Sequence, residues 1–139
     1  MTNEKMALVL FSGTVDKLMA AGIMTSGAVA MGMDVDIFAT FWGEAALRKD
    51  MAATNQRMSK DFEDMAPMFM KAMAAKKIPS WLETLKTAKG TGNVKVHLCS
   101  MTMEIVGWKK EDFVDIVDDV VGVGSFVDMA KDADFTLFI

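Results

Sequence analysis

The hexapeptide Met6–Phe11 (MALVLF) is apolar at every position, with Asn3-Glu4-Lys5 before it and Ser12-Gly13-Thr14 after it. A strand with one wet face alternates polar and apolar residues, whereas an unbroken apolar run of this length has both faces covered. Three further segments read as strands: DVDIFAT (Asp34–Thr40), VKVHL (Val94–Leu98) and FTLFI (Phe135–Ile139). They are separated by stretches with helical signals, and strands alternating with helices imply a parallel sheet covered on both sides.

The helical signals are specific. Thr14 is placed to cap a helix from about Val15 to Met31, with Asp16 in its first turn and Gly32 at its end. A second helix is expected beyond Phe41-Trp42-Gly43, running through about Lys49. Met51–Ile78 reads as a segmented helical stretch that restarts at Asp64 and Pro67, since proline suits a first helical turn. Ser80 caps Trp81–Ala88, and short helices follow at Met101–Val106, Lys110–Val117 and Phe126–Lys131. The architecture expected is a single α/β domain over residues 1–139, a three-layer sandwich with a mainly parallel sheet. Its ligand edge lies at the carboxyl ends of the strands, at Ser12-Gly13, Thr40–Gly43 and Cys99-Ser100.

Charge and composition exclude several functions. A net charge of −4 and the lack of any Lys/Arg run argue against nucleic-acid binding. Leu18–Met33 is broken by Gly22, Gly27 and Gly32, so no membrane span is expected. A lone cysteine excludes an internal disulfide, and with no signal peptide evident the expected location is cytoplasmic. One Cys and one His do not complete a zinc site, so neither a metal nor a cofactor is expected. Ser12-Gly13-Thr14 and Gly122-Val123-Gly124 lack the glycine and lysine spacing of nucleotide loops.

Cys99 is the residue with the most chemical promise. It follows an apolar strand directly and precedes a helix start, where free backbone N–H groups favour a thiolate or an anionic sulfur adduct. The opposing reading is a small buried hydrophobe. His97 shares its strand face, but the i, i+2 separation of about 6–7 Å makes it a satisfied core or interface histidine, not a catalytic partner. Asp34, Asp36 and Asp118-Asp119 read as solvated carboxylates. Met51, Met58, Phe62, Met65, Phe69 and Met73 recur at helical spacing and are expected to face the core; an adaptable contact surface is the alternative. Topology, not motif, places Thr40, Trp42, Ser100 and Thr102 around Cys99 as a substrate pocket.

Four blocks, Ala20–Gly43, Lys76–Gly92, His97–Phe113 and Phe126–Ile139, carry a resemblance that spans nearly the whole chain. The AMGMDV…FWG block together with C-S-M-T-M-x-x-x-G resembles the DsrE/DsrF/DsrH-like superfamily, and especially its stand-alone, methionine-rich branch. That resemblance implies a flavodoxin- or Rossmann-like sheet and a homo-oligomeric sulfur carrier or sulfurtransferase. It implies that Cys99 holds sulfur as a persulfide or thiosulfonate and exchanges it with TusA-like and rhodanese-like partners. Some relatives have a second cysteine just before the strand; here Thr91, Gly92 and Asn93 occupy that stretch. A mechanism with a resolving intrachain thiol is therefore not expected.

Overall fold

The apolar run becomes β1 (Lys5–Leu10), flanked on one side by β2 (Asp34–Ala39) and on the other by β5 (Phe135–Phe138) in a computed structural model that describes residues 3–139. With β3 (Val94–Cys99) and β4 (Asp119–Val121) the sheet has the order β4-β3-β2-β1-β5, and every neighbouring pair is parallel. Five strands and seven helices are present among the described residues, and the fold is α/β as expected.

The two faces of the sheet are unequal. Met6, Leu8, Leu10, Val35, Ile37, Ala39, Val94, Val96 and Leu98 form the main core with α1 (Val15–Ala30) and α5 (Trp81–Thr91). Burying each of the larger aliphatic chains contributes about 2 kcal/mol. Gly32, at φ +80°, turns the chain out of α1 into β2, a conformation glycine adopts freely. The opposite face carries a smaller cluster of Ala7, Phe38 and Cys99 beneath Phe126 of α7 (Val123–Ala130). This third layer is thin, because α7 buries only Phe126.

The chain leaves β2 through a sharp turn. Phe41 sits at φ +50°, a left-handed conformation that is costly for an aromatic residue. It begins α2 (Phe41–Ala46), which stops before α3 (Lys49–Ala52), so the single helix expected after Gly43 is two short ones. Gly43 explains the close seat of α2: a Cβ there would collide with the Leu10 carbonyl.

The methionine stripe does not enter the core. The segment expected to be helical forms a loop, a 3-10 turn at Lys60–Met65 and α4 (Ala66–Ala75), and no residue of these two helices is buried. Phe62 is 58% exposed and Met65 44%. The main face is already filled by α1 and α5; Met70 packs only against its margin, and polar ties hold the loop before α4. Asn55 Nδ2 donates to the Gly13 carbonyl at 2.8 Å, Val15 N to the Arg57 carbonyl at 2.7 Å, and Ser59 to Asp16.

Other boundaries also move. The sequence reading lacked β4, and the expected helix at Lys110–Val117 is a single 3-10 turn, Lys110–Asp112. Phe113 then turns extended and bridges Arg48, which buries Phe113, Ile116 and Val117 in irregular backbone.

Candidate functional site

β3 delivers Cys99 and His97 to the thinner face. Cys99 is the last residue of β3 and the N-cap of α6 (Ser100–Val106), so the strand is one residue longer and the helix starts one earlier than the sequence suggested. The thiol is 6% exposed, packs with Ala7, Phe38 and Phe126, and lies in register with Val121 of β4. Phe126 stacks on Phe38 with ring centroids 4.7 Å apart and closes this side of the site.

His97 is fully engaged, as a core histidine should be. Its Nε2 lies 2.9 Å from Asp36 Oδ1 and its Nδ1 2.6 Å from Asp119 Oδ1. Lys5 Nζ adds a contact to Asp36 at 3.2 Å. The Asp36 carboxylate, joined by Asp119 and opposed by burial, raises His97 above its ordinary pKa, and the His97 ring lowers Asp36. With both ring nitrogens taken, His97 is not free to serve as a base for Cys99. The solvated reading of Asp36 and Asp118 is corrected here as well. Asp36 is buried, and Asp118 accepts from the Val96 amide at 2.8 Å and from Lys89 Nζ at 2.5 Å. Asp118 thereby ties α5 and β3 to the start of β4.

At the carboxyl end of the sheet, Thr40 and Thr102 come together. Ala39 pairs with Leu98, so Thr40 and Cys99 are the next residues out on adjacent strands. Thr40 Oγ1 lies 3.4 Å from Thr102 Oγ1, and the amide of the strained Phe41 donates to Thr102 Oγ1 at 3.2 Å. Glu44, in the first turn of α2, is 0% exposed, and neither carboxyl oxygen has a hydrogen-bond partner among the described residues. Burial pushes its pKa up to about 8. A carboxyl in such surroundings stays protonated at neutral pH. The sequence reading passed over Glu44; the available signal was an acidic residue among Gly43, Ala46 and Leu47, all of them buried.

Trp42 and Ser100 contact other groups. Trp42 lines a cavity of about 480 Å³ with Phe11, Ser12, Gly13, Lys17 and Arg57. Ser100 is half-buried beside Gly122. An aromatic row runs along the same edge: Phe138 on Phe11 at 5.8 Å, Phe11 on Phe41 at 5.5 Å, and Phe41 on Trp42 at 5.9 Å. Among the described residues no group of three or more His, Cys, Asp or Glu is arranged to hold a metal ion, and no helix is long and apolar enough to cross a membrane.

Comparison with known proteins adds independent findings. A profile of the DsrE/DsrF/DrsH-like family matches residues 2–138. The chain is 32% identical to YrkE of Bacillus subtilis, with 98% of this chain and 97% of that protein covered. It is 26% identical to the sulfur carrier protein DsrE2 of Allochromatium vinosum, over 100% of both chains. Two solved structures share the fold at a TM-score of 0.60. They are MTH1491 of Methanobacterium thermoautotrophicum, at 16% identity with 97% of this chain and 99% of that one covered, and the YchN protein of E. coli, at 15% identity with 98% and 99% covered.

Proposed function

The chain belongs to the DsrE/DsrF/DrsH-like family, and from that premise we propose that it is a sulfur carrier of the sulfurtransferase type whose working group is Cys99. The thiolate attacks a sulfane sulfur on a donor, holds it as a persulfide or thiosulfonate, and yields it to the thiol of a partner protein. One observation carries the reading: the chain's only thiol stands where β3 ends and α6 begins. Negative charge that develops on sulfur at such a junction is favoured by the N-terminal end of the helix.

In this reading Thr40 and Thr102 flank the reacting sulfur, with Ser100 and Trp42 toward the rim. No intrachain thiol competes for the bound sulfur, so a partner must collect it. TusA-like and rhodanese-like thiol proteins fit that task, and a cysteine with no disulfide partner suits a reducing cytoplasm. The exposed aromatic row at the carboxyl edge, with Trp42 61% and Phe138 71% exposed, offers a surface for such a partner or for a homo-oligomer.

The same burial that protects Cys99 favours a second reading, an assembly module in which the cysteine is inert packing. Mass spectrometry of the intact chain after exposure to thiosulfate, tetrathionate or a persulfide separates the two. The carrier gains a sulfur-containing mass that Cys99→Ser abolishes. Unmodified wild-type protein with every donor supports the module instead.

A further inference from the structure

The loop that follows α3 is tied down more firmly than its burial explains. Residues 53–59 contain no buried side chain, yet Asn55 fixes them to the start of α1 through both ends of its amide. Its Nδ2 donates to the Gly13 carbonyl at 2.8 Å, and its Oδ1 accepts from the Arg57 amide at 3.0 Å. The Arg57 carbonyl in turn accepts from the Val15 amide at 2.7 Å. These bonds hold no core together. What they do is bring Arg57 to the cavity of about 480 Å³ that it lines with Trp42 and Lys17.

Trp42 reaches that cavity from α2, at a local cost. The residue before it, Phe41, is held at φ +50°, and such strain persists only where the surroundings over-determine it. The Phe41 ring lies 5.5 Å from Phe11 and 5.9 Å from Trp42, and a Cβ at Gly13 would collide with the Trp42 carbonyl. Phe11 and Trp42 thereby form an ordered aromatic wall, while the indole stays 61% exposed. An uncovered indole lining a concave surface suits a flat apolar body.

The charge of the cavity is one-sided. The chain has 19 acidic and 15 basic residues, but the cavity is lined by Lys17 and Arg57 and by no carboxylate side chain. Neither cation enters an ion pair among the described residues. The acidic groups nearby in the chain are engaged elsewhere: Asp16 accepts from Ser59, Asp50 accepts from Arg48, and Glu44 is buried. The Ile139 backbone oxygen at this edge is taken by the Phe11 and Ser12 amides. No residue of the Cys99 cluster lines the cavity.

We propose that this cavity binds an organic acid with a flat apolar body, an aryl carboxylate or sulfonate, with its ring on Trp42 and its acid group on Lys17 and Arg57. A guanidinium meets such an anion with two parallel hydrogen bonds, and the ammonium adds a second charge. Ser12-Gly13-Thr14 lacks the glycine and lysine spacing of a phosphate loop, which favours a single acid group over a polyphosphate. The site requires no sulfur chemistry and does not rest on the sulfur-carrier reading.

The test is titration of the full chain with 8-anilinonaphthalene-1-sulfonate, read by probe fluorescence and calorimetry, beside its uncharged counterpart N-phenyl-1-naphthylamine. The sulfonate should bind at one site per chain, and the uncharged probe at least about tenfold more weakly. Raising NaCl from about 0.02 to about 0.5 M should weaken the sulfonate several-fold, because both cations are exposed. Lys17→Gln and Arg57→Gln should each weaken it roughly fivefold. Trp42→Ala should weaken it roughly tenfold, and Trp42→Phe should recover most of that loss. All three side chains are exposed, so the variants should melt near wild type. Phe62→Ser, at an exposed aromatic residue outside the cavity, should leave binding unchanged. As competitors, 1-naphthoate and AMP separate an aryl acid from a nucleotide, and 1-naphthoate should displace the probe. Displacement by AMP but not by 1-naphthoate, or by neither, overturns the inference. So do equal binding of the two probes and sulfonate binding that the Lys17, Arg57 and Trp42 variants leave unchanged. None of these outcomes touches the carrier reading, because no sulfur donor is present.

Discussion

His97 Nε2 and Asp36 Oδ1 face each other at 2.9 Å, both in buried side chains, and Asp119 holds the other ring nitrogen. The raised His97 pKa means that the folded chain holds a proton the unfolded chain releases above about 6.5. The contribution of His97 is therefore complete below that pH and is lost as pH rises through the folded value. Asp36 works in the opposite sense: its contribution is present above about 3.8 and is lost as pH falls below it. Replacing His97 by Gln should cost about 3 kcal/mol in mildly acidic buffer, since it strips a partner from a buried charge pair. The gap to wild type should narrow as pH climbs past neutrality. Urea unfolding of both proteins across pH tests this, and a gap of constant size would refute it.

Glu44 makes a prediction of the opposite sign. Its carboxyl stays protonated in the fold until about pH 8, while the unfolded group ionises near 4.5. Stability therefore declines across that interval, and at neutral pH the deficit amounts to roughly 3 kcal/mol. Glu44→Gln removes the titration and keeps the shape, so the variant should be more stable than wild type at neutral pH by about 2 kcal/mol, with some gain lost to the buried amide. Its stability should change less between mildly acidic and neutral pH. A variant that melts lower than wild type at neutral pH would place the carboxyl in an ionised state.

Local pattern made much of this fold readable. MALVLF announced a strand covered on both faces, Gly32 announced the end of α1, and VKVHL followed by Cys99 announced the strand-to-helix junction. What escaped was set by long-range pairing. Asp118 and Asp119 look like a solvated pair in isolation, yet Asp118 closes on Lys89 and the Val96 amide, and Asp119 closes on His97. These partners lie 22 to 29 residues away in the chain, and without them the three-residue β4 has no signal of its own. The methionine stripe failed for a related reason. Helical spacing identifies an apolar face but not whether the core has room for it, and α1 with α5 had already filled that room.

Two glycines separate steric need from helix propensity. A Cβ at Gly43 would run into the Leu10 carbonyl, a backbone atom of β1 that cannot swing aside. Gly43→Ala should displace α2 and lower stability by about 2–3 kcal/mol, with Thr40, Thr102 and Glu44 moved as well. Gly27 lies inside α1 with nothing within 4 Å of a built Cβ. Gly27→Ala should raise stability by roughly 0.5–1 kcal/mol, because alanine loses less backbone freedom in a helix. Thermal melts of the two single variants suffice, and equal effects would contradict the close seat of α2 on β1.

Phe126 packs in the same small cluster as Cys99, and its removal should open a path to the thiol. Cys99 is 6% exposed, and Phe126 is the only residue α7 buries. Elements with few buried contacts open before the molecule unfolds. Phe126→Ala removes the stack on Phe38 at 4.7 Å and should cost about 3 kcal/mol in global stability. Under native conditions it should also speed iodoacetamide alkylation of Cys99 at least about tenfold, since a fall of only about 1.4 kcal/mol in the cost of opening gives that factor. Phe126→Leu, which keeps most of the cover, should fall between the two. Rates independent of low urea concentration would tie the effect to local opening and not to global unfolding. Equal alkylation of wild type and Phe126→Ala would mean that reagents reach the sulfur from the α6 side. In that case the sulfur donor approaches past Ser100 and Thr102, and α7 is a fixed wall.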